Sequence, residues 1–198
     1  MSQFADLMRV NVAPYFSFTP DQLRLLESHY NLMMRWNERI NLTAITDIEE
    51  VVKRHYGESL ALAAAIPTGS LQIIDAGSGP GFPGVPLAIM RPDCRVTMLE
   101  IDIRKGVFIK ETTLDILNAF VRNERLSAYE PGCDWLVSRA LHRQELIPYA
   151  TAHRCSTALL VSDDQIADIL ADWRGFRFEA PRPLPWRGQG SVLVGAPE

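Results

Sequence analysis

The segment at residues 73–86, IIDAGSGPGFPGVP, constrains the fold more than any other part of the chain. It holds four glycines and three prolines directly after an apolar run that ends in Asp75. Gly77, Gly79 and Gly81 permit backbone conformations that other residues avoid and let a ligand approach the main chain, while the prolines fix φ. We therefore predict a buried strand that turns sharply into a helix, with a ligand bound against the turn.

From residue 71 onward, short apolar runs alternate with helical stretches, a pattern typical of a mostly parallel sheet covered on both faces. The predicted strands are LQIIDA (71–76), RVTMLE (95–100), DWLVSRA (134–140), STALLVS (156–162) and SVLVG (191–195), with a short strand in AFVR (119–122) and a late hairpin from FRFEA (176–180). The predicted helices lie near residues 84–90, 104–117, 143–153 and 163–173. The predicted fold class is therefore α/β.

The N-terminal third of the chain has the periodicity of helices instead. Thr19 and Pro20 suit the first positions of a helix, and apolar residues then recur at the three-to-four spacing of one buried face. A second helix is predicted to begin near residue 46 and to end by Pro67. We accordingly divide the chain into an N-terminal helical extension, residues 1–68, and a sheet-containing core, residues 69–198.

Two cofactor classes compete for the glycine-rich turn. The dinucleotide fingerprint G-x-G-x-x-G matches Gly79, Gly81 and Gly84, but its first glycine falls too far beyond the strand. Counted from Gly77, the sixth position is Phe82, whose side chain would crowd the amides that a phosphate needs. The alternative is S-adenosyl-L-methionine, which carries a carboxylate, an ammonium and a sulfonium but no phosphate, and we favour it.

A second acid completes the predicted cofactor site. Glu100 ends the strand RVTMLE, where a carboxylate can accept hydrogen bonds from both hydroxyls of a ribose. The competing interpretation is a surface acid without a ligand.

The composition sets further bounds. Hydrophobic residues make up 47% of the chain and charged residues 22%, and no apolar run approaches the length of a membrane span. Asp6 and Arg9 interrupt the apolar pattern at the N-terminus, unlike a secretory signal, so we expect a cytoplasmic protein. The net charge of −4 argues against a protein that coats nucleic acid non-specifically. We expect a monomer.

The sequence indicates no metal site. Cys94, Cys133 and Cys155 lie far apart and form no C-x-x-C pair, so we expect three free thiols. The histidines show no ligand spacing either and are interpreted as solvated or core imidazoles: His29, His55, His142 and His153.

Seven motifs occur in a fixed order between residues 35 and 140. They are RWNERINLT (35–43), RHYGES (54–59), DAGSGPGFPGVPLA (75–88), RP (91–92), TMLE (97–100), RKGVF (104–108) and VSRA (137–140). Together they resemble the GidB/RsmG family of bacterial small-subunit ribosomal RNA (guanine-N7) methyltransferases. The resemblance implies a Rossmann-like methyltransferase fold with a seven-stranded sheet behind an N-terminal helical extension, and S-adenosyl-L-methionine as methyl donor.

The resemblance also implies the cofactor contacts. With the loop and the two acids, the candidate cofactor-binding residues are Asp75, Gly77, Gly79, Phe82, Glu100, Leu126, Ser127 and Arg139. Leu126 and Ser127 would lie near the adenine, although a one-step shift of that alignment would use Glu124 and Arg125 instead. Guanine N7 carries a lone pair and no proton, so methyl transfer to it needs alignment and no general base. We therefore assign no catalytic residue.

The partner that the resemblance implies is small-subunit ribosomal RNA or an assembling subunit, whose phosphates need cations. The candidate cations are Arg35, Arg39, Lys53, Arg54, Arg104, Lys105, Arg139 and Arg143. Trp36, Asn37, Asn41 and Thr43 either contact RNA or pack and form a turn, and we favour packing.

Departures from the family pattern keep other functions open. Glu58 stands where the family usually has aspartate. After the fifth strand the resemblance implies a lysine in an A-L-K segment, whereas this chain has Ser162, Asp163 and Asp164, which either repel RNA or cap the next helix. The terminal SVLVGAPE also lacks the expected basic residues. The alternatives are a non-catalytic cofactor-binding homologue with a regulatory or binding role, and a methyltransferase with a small-molecule or protein substrate.

Overall fold

The computed structural model describes residues 2–139, 143–186 and 188–198, without the side chain of Arg143. In this part of the chain the α-helices are α1 (Gln3–Asn11), α2 (Pro20–Asn37), α3 (Ile48–Val51), α4 (Glu58–Ala65), α5 (Gly84–Met90), α6 (Ile103–Thr112), α7 (Arg143–His153) and α8 (Ile166–Asp172). A π-helical segment, Val52–Gly57, joins α3 to α4, and 3₁₀ turns lie at Leu126–Ala128 and Asp163–Gln165. None of the described helices combines the length and the apolar character that a bilayer span requires.

The strands form one mixed, mostly parallel sheet. They are β1 (Gln72–Ala76), β2 (Arg95–Leu99), β3 (Ala119–Arg122), β4 (Trp135–Arg139), β5 (Ser156–Val161), β6 (Phe176–Phe178), β7 (Arg182–Pro183) and β8 (Ser191–Pro197). Their order is β3-β2-β1-β4-β5-β8-β6, with β7 beside β8. Strands β1 to β5 pair in parallel, and β8 is antiparallel to β5, β6 and β7.

This topology confirms the predicted α/β class and adds one strand to the expected seven. The extra strand is β7, which pairs Arg182 and Pro183 with the start of β8. The strand order reverses between β1 and β4, and ligands of such sheets bind where the carboxyl ends diverge at that reversal. The glycine-rich turn follows β1 and therefore lies at this position.

Helix α2 begins as its sequence predicts. The side chain of Thr19 accepts the N–H of Gln22 at 3.2 Å, and the side chain of Gln22 accepts the N–H of Thr19 at 2.8 Å. This capping box, with Pro20 as first helical residue, satisfies two of the N–H groups that a helix start leaves unpaired.

The helix predicted at residues 104–117 is shorter in the structure and ends at Thr112. Thr113 is its C-cap, and both the N–H and the hydroxyl of Thr113 donate to the carbonyl of Ile109. Beyond it, Leu114 and Leu117 are exposed, so the apolar residues that prompted the longer prediction do not form a buried helix face.

Two hydrophobic clusters cover the two faces of the sheet. One packs α1 to α6 against strand residues such as Ile73, Val96 and Val137. The other packs α7 and α8 against the alternate residues, among them Ile74 and Leu136. Since the N-terminal helices share the first cluster with the sheet, the division at residues 68 and 69 does not separate two cores, and it stays a prediction.

Candidate cofactor site

The glycine-rich turn curls back on the neighbouring strand. Gly77, Gly79 and Gly81 have φ angles of 73°, 56° and 87°, which lie in the left-handed region that glycine adopts without strain. The N–H groups of Gly77 and Ser78 both donate to the carbonyl of Leu99, at 3.0 Å each. This geometry confirms the predicted sharp turn from strand to helix.

The carboxylate of Asp75 lies inside the turn and not on its surface. It is fully buried, and its Oδ2 accepts the N–H of Gly84 at 2.9 Å. A Cβ on Gly84 would come within 2.5 Å of that oxygen and of Cγ of Met98, so the closeness of helix to strand requires glycine here. Burial raises the pKa of Asp75 from 3.8 to about 7, against the opposing hydrogen bond from Gly84.

Glu100 holds the outer part of the turn. One carboxylate oxygen accepts the N–H of Gly79 at 2.7 Å, and the other accepts the N–H of Asp102 at 2.8 Å. A carboxylate offers about four acceptor positions, so two stay available for ribose hydroxyls. Apart from its two chain neighbours, no described residue has an atom within 4 Å of the position where a Cβ on Gly79 would point, so the backbone beside Glu100 is open to a ligand. The donor and acceptor set fits an adenosyl cofactor.

The ring of Phe82 is buried away from this open surface. It stacks on His55 at a centroid distance of 4.6 Å and lies 5.0 Å and 5.2 Å from the rings of His29 and Tyr56. A cofactor contact at Phe82 would therefore involve its main chain, and the ring instead packs the loop against the N-terminal helices.

A buried histidine links helix α2 to the loop. His29 Nε2 lies 3.0 Å from the carbonyl oxygen of Pro80, so Nε2 carries the proton, and Nδ1 accepts the hydroxyl of Tyr56 at 3.1 Å. Burial lowers the pKa of His29 to about 4, which keeps the imidazole neutral at pH 7 as both hydrogen bonds require.

Arg139 faces the N-terminal extension. Its Nη1 donates to His55 Nδ1 at 2.7 Å, so the other ring nitrogen of His55 donates to the hydroxyl of Thr43 at 2.8 Å. Its Nη2 lies 3.8 Å from the carboxylate of Glu58, which is 1% exposed. Burial, and then the charge of Arg139, lower the pKa of His55 to about 3. Arg139 thus stands at the end of β4 as predicted, while its contact with a cofactor stays a prediction.

The predicted adenine contacts lie in the 3₁₀ turn after β3. The side chain of Leu126 is buried in the second hydrophobic cluster, and Ser127 is exposed. Glu124 is half-buried and Arg125 exposed, so the structure does not decide between the two alignments.

The candidate cations divide into two groups. Those that line adjoining hollows between α2 and α6 are Arg35, Arg39, Arg104 and Lys105. Of the others, Lys53 pairs with Glu49, and the Nε of Arg54 is buried without a hydrogen-bond partner among the described residues. Arg139 contacts His55 and Glu58. The side chain of Arg143 and the whole of His142 lie outside the described part of the chain.

The RWNERINLT motif forms a turn and a packing contact. Asn37 Oδ1 accepts two backbone N–H groups of the next turn, one of them from Thr43, at 2.8 and 3.0 Å. Trp36 is half-buried and donates to Glu111 at 3.1 Å. These three motif residues thus take part in packing and turn formation, whereas Asn41 is exposed, and contact of the motif with RNA stays untested.

The residues after β5 start the next helical segment, with Ser162 as its N-cap and Asp163 and Asp164 in its first turn. Ser162 starts the 3₁₀ turn and its N–H donates to the side chain of Gln165 at 3.3 Å. Asp163 accepts the hydroxyl of Ser191 at 2.8 Å, which ties it to β8. Repulsion of RNA by Asp163 and Asp164 stays a prediction.

Sequence reasoning missed the part that His29, His55 and Tyr56 play in holding the loop. His29 and His55 are 1% and 5% exposed, so both are core imidazoles, one of the two interpretations offered for the histidines. His29 lies three residues after Leu26 and four before Met33, so the helical period alone could have placed it on the buried face. The described residues contain no cluster of His, Cys, Asp or Glu suited to a metal ion.

Comparisons with known proteins agree with this architecture. A family model described as "GidB: rRNA small subunit methyltransferase G" matches residues 22–160. Two relatives carry the name ribosomal RNA small subunit methyltransferase G. The one from Chromobacterium violaceum is 35% identical over 74% of this chain and 68% of its own length, and the one from Pseudomonas putida is 34% identical over 89% and 87%.

A solved structure shows the same fold at low sequence identity. Magnesium protoporphyrin IX methyltransferase from Synechocystis, with bound S-adenosylmethionine, superposes with a TM-score of 0.62 at 16% identity, over 92% of this chain and all of that one.

Proposed function

The chain belongs to the GidB family of rRNA small subunit methyltransferases, and on that premise we propose that it transfers a methyl group from S-adenosyl-L-methionine to N7 of a guanine in small-subunit ribosomal RNA. The cofactor has two supports besides the family: the donor and acceptor set of the glycine-rich turn, and the bound S-adenosylmethionine of the Synechocystis protein with the same fold.

The observation that carries the proposal is the pair of hydrogen bonds from the backbone to Glu100. They fix the carboxylate beside the open backbone of Gly79, at the sheet edge where the strand order reverses. In this arrangement the carboxylate would accept the ribose hydroxyls, and the bare turn next to Gly77 would accommodate the amino-acid end of the cofactor.

Methyl transfer to guanine N7 requires the protein mainly to align the methyl donor with the acceptor nitrogen. When bound, S-adenosyl-L-methionine supplies an electrophilic methyl group. Guanine N7 is already a nucleophile, so the residues of the site need only to hold donor and acceptor in line and to exclude water. The rigid turn, with Asp75 beneath it and Phe82 packed behind it, serves this positioning role.

Ribosomal RNA as substrate also implies where and with what the protein acts. We propose that it is cytoplasmic and works as a monomer on ribosomal RNA or on an assembling subunit. Leu126, Ser127 and Arg139 remain proposed contacts of the cofactor or the substrate.

A direct test uses purified protein with S-adenosylmethionine carrying a labelled methyl group and small subunits from cells that lack the protein. We expect label in the ribosomal RNA, recovered as N7-methylguanosine after nuclease digestion. Glu100→Ala should weaken cofactor binding in calorimetry by tenfold or more, while the exposed Glu130→Ala serves as the matched control and should bind normally.

Two results would redirect the proposal. Cofactor binding without label in any RNA would favour the non-catalytic homologue or a non-RNA substrate. NADH binding in place of S-adenosylmethionine would show that the dinucleotide interpretation of the turn was right.

A further inference from the structure

A groove of about 570 Å³ lies between the C-terminal end of α2 and the outer face of α6, which we call the α2/α6 groove. Arg35, Trp36 and Arg39 line it from the first side, and Arg104 and Val107 from the second. It is distinct from the glycine-rich turn, and it brings together candidate cations that the sequence named only one by one.

The cations of the groove are available to a ligand. Within the described part of the chain, the side chains of Arg35, Arg39 and Lys105 have no ion-pair or hydrogen-bond partner. Arg104 has only a 3.5 Å contact with Asp102, and its side chain is 71% exposed. Unpaired cations that cluster on a protein of net charge −4 indicate a local site for an anionic partner.

The acids of the groove are mostly engaged. Glu111 accepts the indole N–H of Trp36, and Asp102 caps α6 by accepting the backbone N–H groups of Arg104 and Lys105. Glu38 is the remaining acid in the lining. The groove and the adjoining smaller hollow together are lined by four cations, Arg35, Arg39, Arg104 and Lys105, and by three carboxylates, Glu38, Asp102 and Glu111, so the lining has an excess of one positive charge.

Its walls are apolar and exposed. Ile103 is 71% exposed and Val107 46% exposed, and the half-buried ring of Trp36 lies between α2 and α6. Arginines next to exposed apolar side chains suit a single-stranded nucleic acid, whose phosphates pair with the cations while bases or sugars cover the apolar surface.

The groove also continues toward the candidate cofactor site. A smaller hollow of about 300 Å³ shares Arg39 and Arg104 with it and is further lined by Asn41 and Asp102. The backbone N–H of Asp102, which lines this hollow, donates to Glu100, the predicted ribose acid two residues earlier.

We propose that the α2/α6 groove binds the single-stranded RNA segment that flanks the target guanine and guides it toward the methyl donor. The inference rests on the proposed function and extends it, because it assigns the strand beside the target to a surface formed by the N-terminal extension and α6. An acidic segment of a ribosomal protein is the competing occupant.

The test compares two double variants with equal charge. Arg35→Gln/Arg39→Gln removes two groove cations, and Arg24→Gln/Arg174→Gln removes two exposed cations elsewhere. Binding to protein-free small-subunit ribosomal RNA is measured over a range of salt concentrations. We expect the groove variant to bind at least tenfold more weakly at low salt, with a log–log salt slope shallower by about 1.4, since each single-strand phosphate contact contributes about 0.7. Calorimetry should show unchanged cofactor affinity for both variants.

A second measurement identifies the occupant directly. A photoreactive benzophenone amino acid at Val107 should cross-link to one segment of the RNA in intact small subunits. Cross-links to ribosomal protein alone would overturn the proposal. Equal RNA binding by the two double variants would also overturn it, provided that the wild-type protein methylates RNA. If the wild-type protein methylates no RNA, the proposed function itself fails, which separates the two failures.

Discussion

Helix α2 contributes to two regions that use polar groups in opposite ways. His29, in the middle of the helix, is 1% exposed and has both ring nitrogens bound, one to the loop carbonyl of Pro80 and one to Tyr56. Arg35, less than two turns later, is exposed at the α2/α6 groove without a partner in the described chain. At the loop, polar groups hold the fold together; at the groove, they are available to a partner. Changes at the loop should therefore act on stability, and changes at the groove on binding.

The largest effect is expected from Arg139→Ala at the loop side. This change removes a guanidinium from the buried carboxylate of Glu58 and from His55, and loss of one member of a buried ion pair typically costs about 3–5 kcal/mol. Denaturant unfolding measures it. The double variant Glu58→Ala/Arg139→Ala is the control and should be less destabilised than the sum of the single variants. A near-native melt of Arg139→Ala with lost activity would instead place Arg139 among the groups that serve the ligand.

The second effect is the part of the pH dependence of stability that His29 carries. Because His29 is held neutral when folded, its contribution is complete above pH 6.5 and is lost as the pH falls toward 4; that shift corresponds to about 3 kcal/mol of unfolding free energy. Asp75 changes in the opposite direction, since burial raises its pKa. Comparison with His29→Gln, which keeps a donor for Pro80 but does not titrate, isolates the histidine. Equal pH dependence of the two proteins would contradict the assignment.

A third, smaller effect is expected from Gly84→Ala. The added Cβ would press on Asp75 and Met98, and overpacking of this kind costs about 1–3 kcal/mol. Thermal unfolding of Gly188→Ala provides the comparison, because among the described residues, its chain neighbours aside, no atom lies within 4 Å of a Cβ at that position. Equal melting temperatures of Gly84→Ala and Gly188→Ala would contradict the close packing of α5 on the strands.

The smallest effect on stability is expected at the α2/α6 groove. Arg35→Gln/Arg39→Gln should change the unfolding free energy by no more than about 0.5 kcal/mol, because exposed unpaired cations contribute little to folding. Chemical denaturation with matched wild-type samples checks this. A loss of several kcal/mol would mean that these cations support the fold and would remove the contrast between the two regions.

The sequence was most informative where function and local geometry coincide. Glycines with positive φ, an acid before them and Glu100 after the next strand were all apparent from the pattern, and the structure brings Gly79 and Glu100 into direct contact. The alternation of strands and helices likewise predicted the sheet, because the apolar pattern within each short segment determines whether that segment forms a strand or a helix.

What the sequence could not show depends on contacts between distant segments. His29 reaches Pro80 across 51 positions and Arg139 reaches His55 across 84, and no local period encodes either pairing. The end of α6 was mispredicted for a related reason, since Leu114 and Leu117 extend the apolar pattern but have nothing to pack against.

The hydrogen bond from His29 to Pro80 also bears on how such proteins can be recombined. Every candidate cofactor residue lies after residue 68, so the core looks like a module that could be exchanged between homologues. Yet the loop that would hold the cofactor is fastened from outside by His29 and by the stacking of His55 on Phe82. In a chimera joined at residue 68, the glycine-rich turn would come from one homologue and the histidines that contact it from the other. Such a chimera should bind the cofactor only when its N-terminal half keeps His29 and His55 and its C-terminal half keeps Pro80 and Phe82.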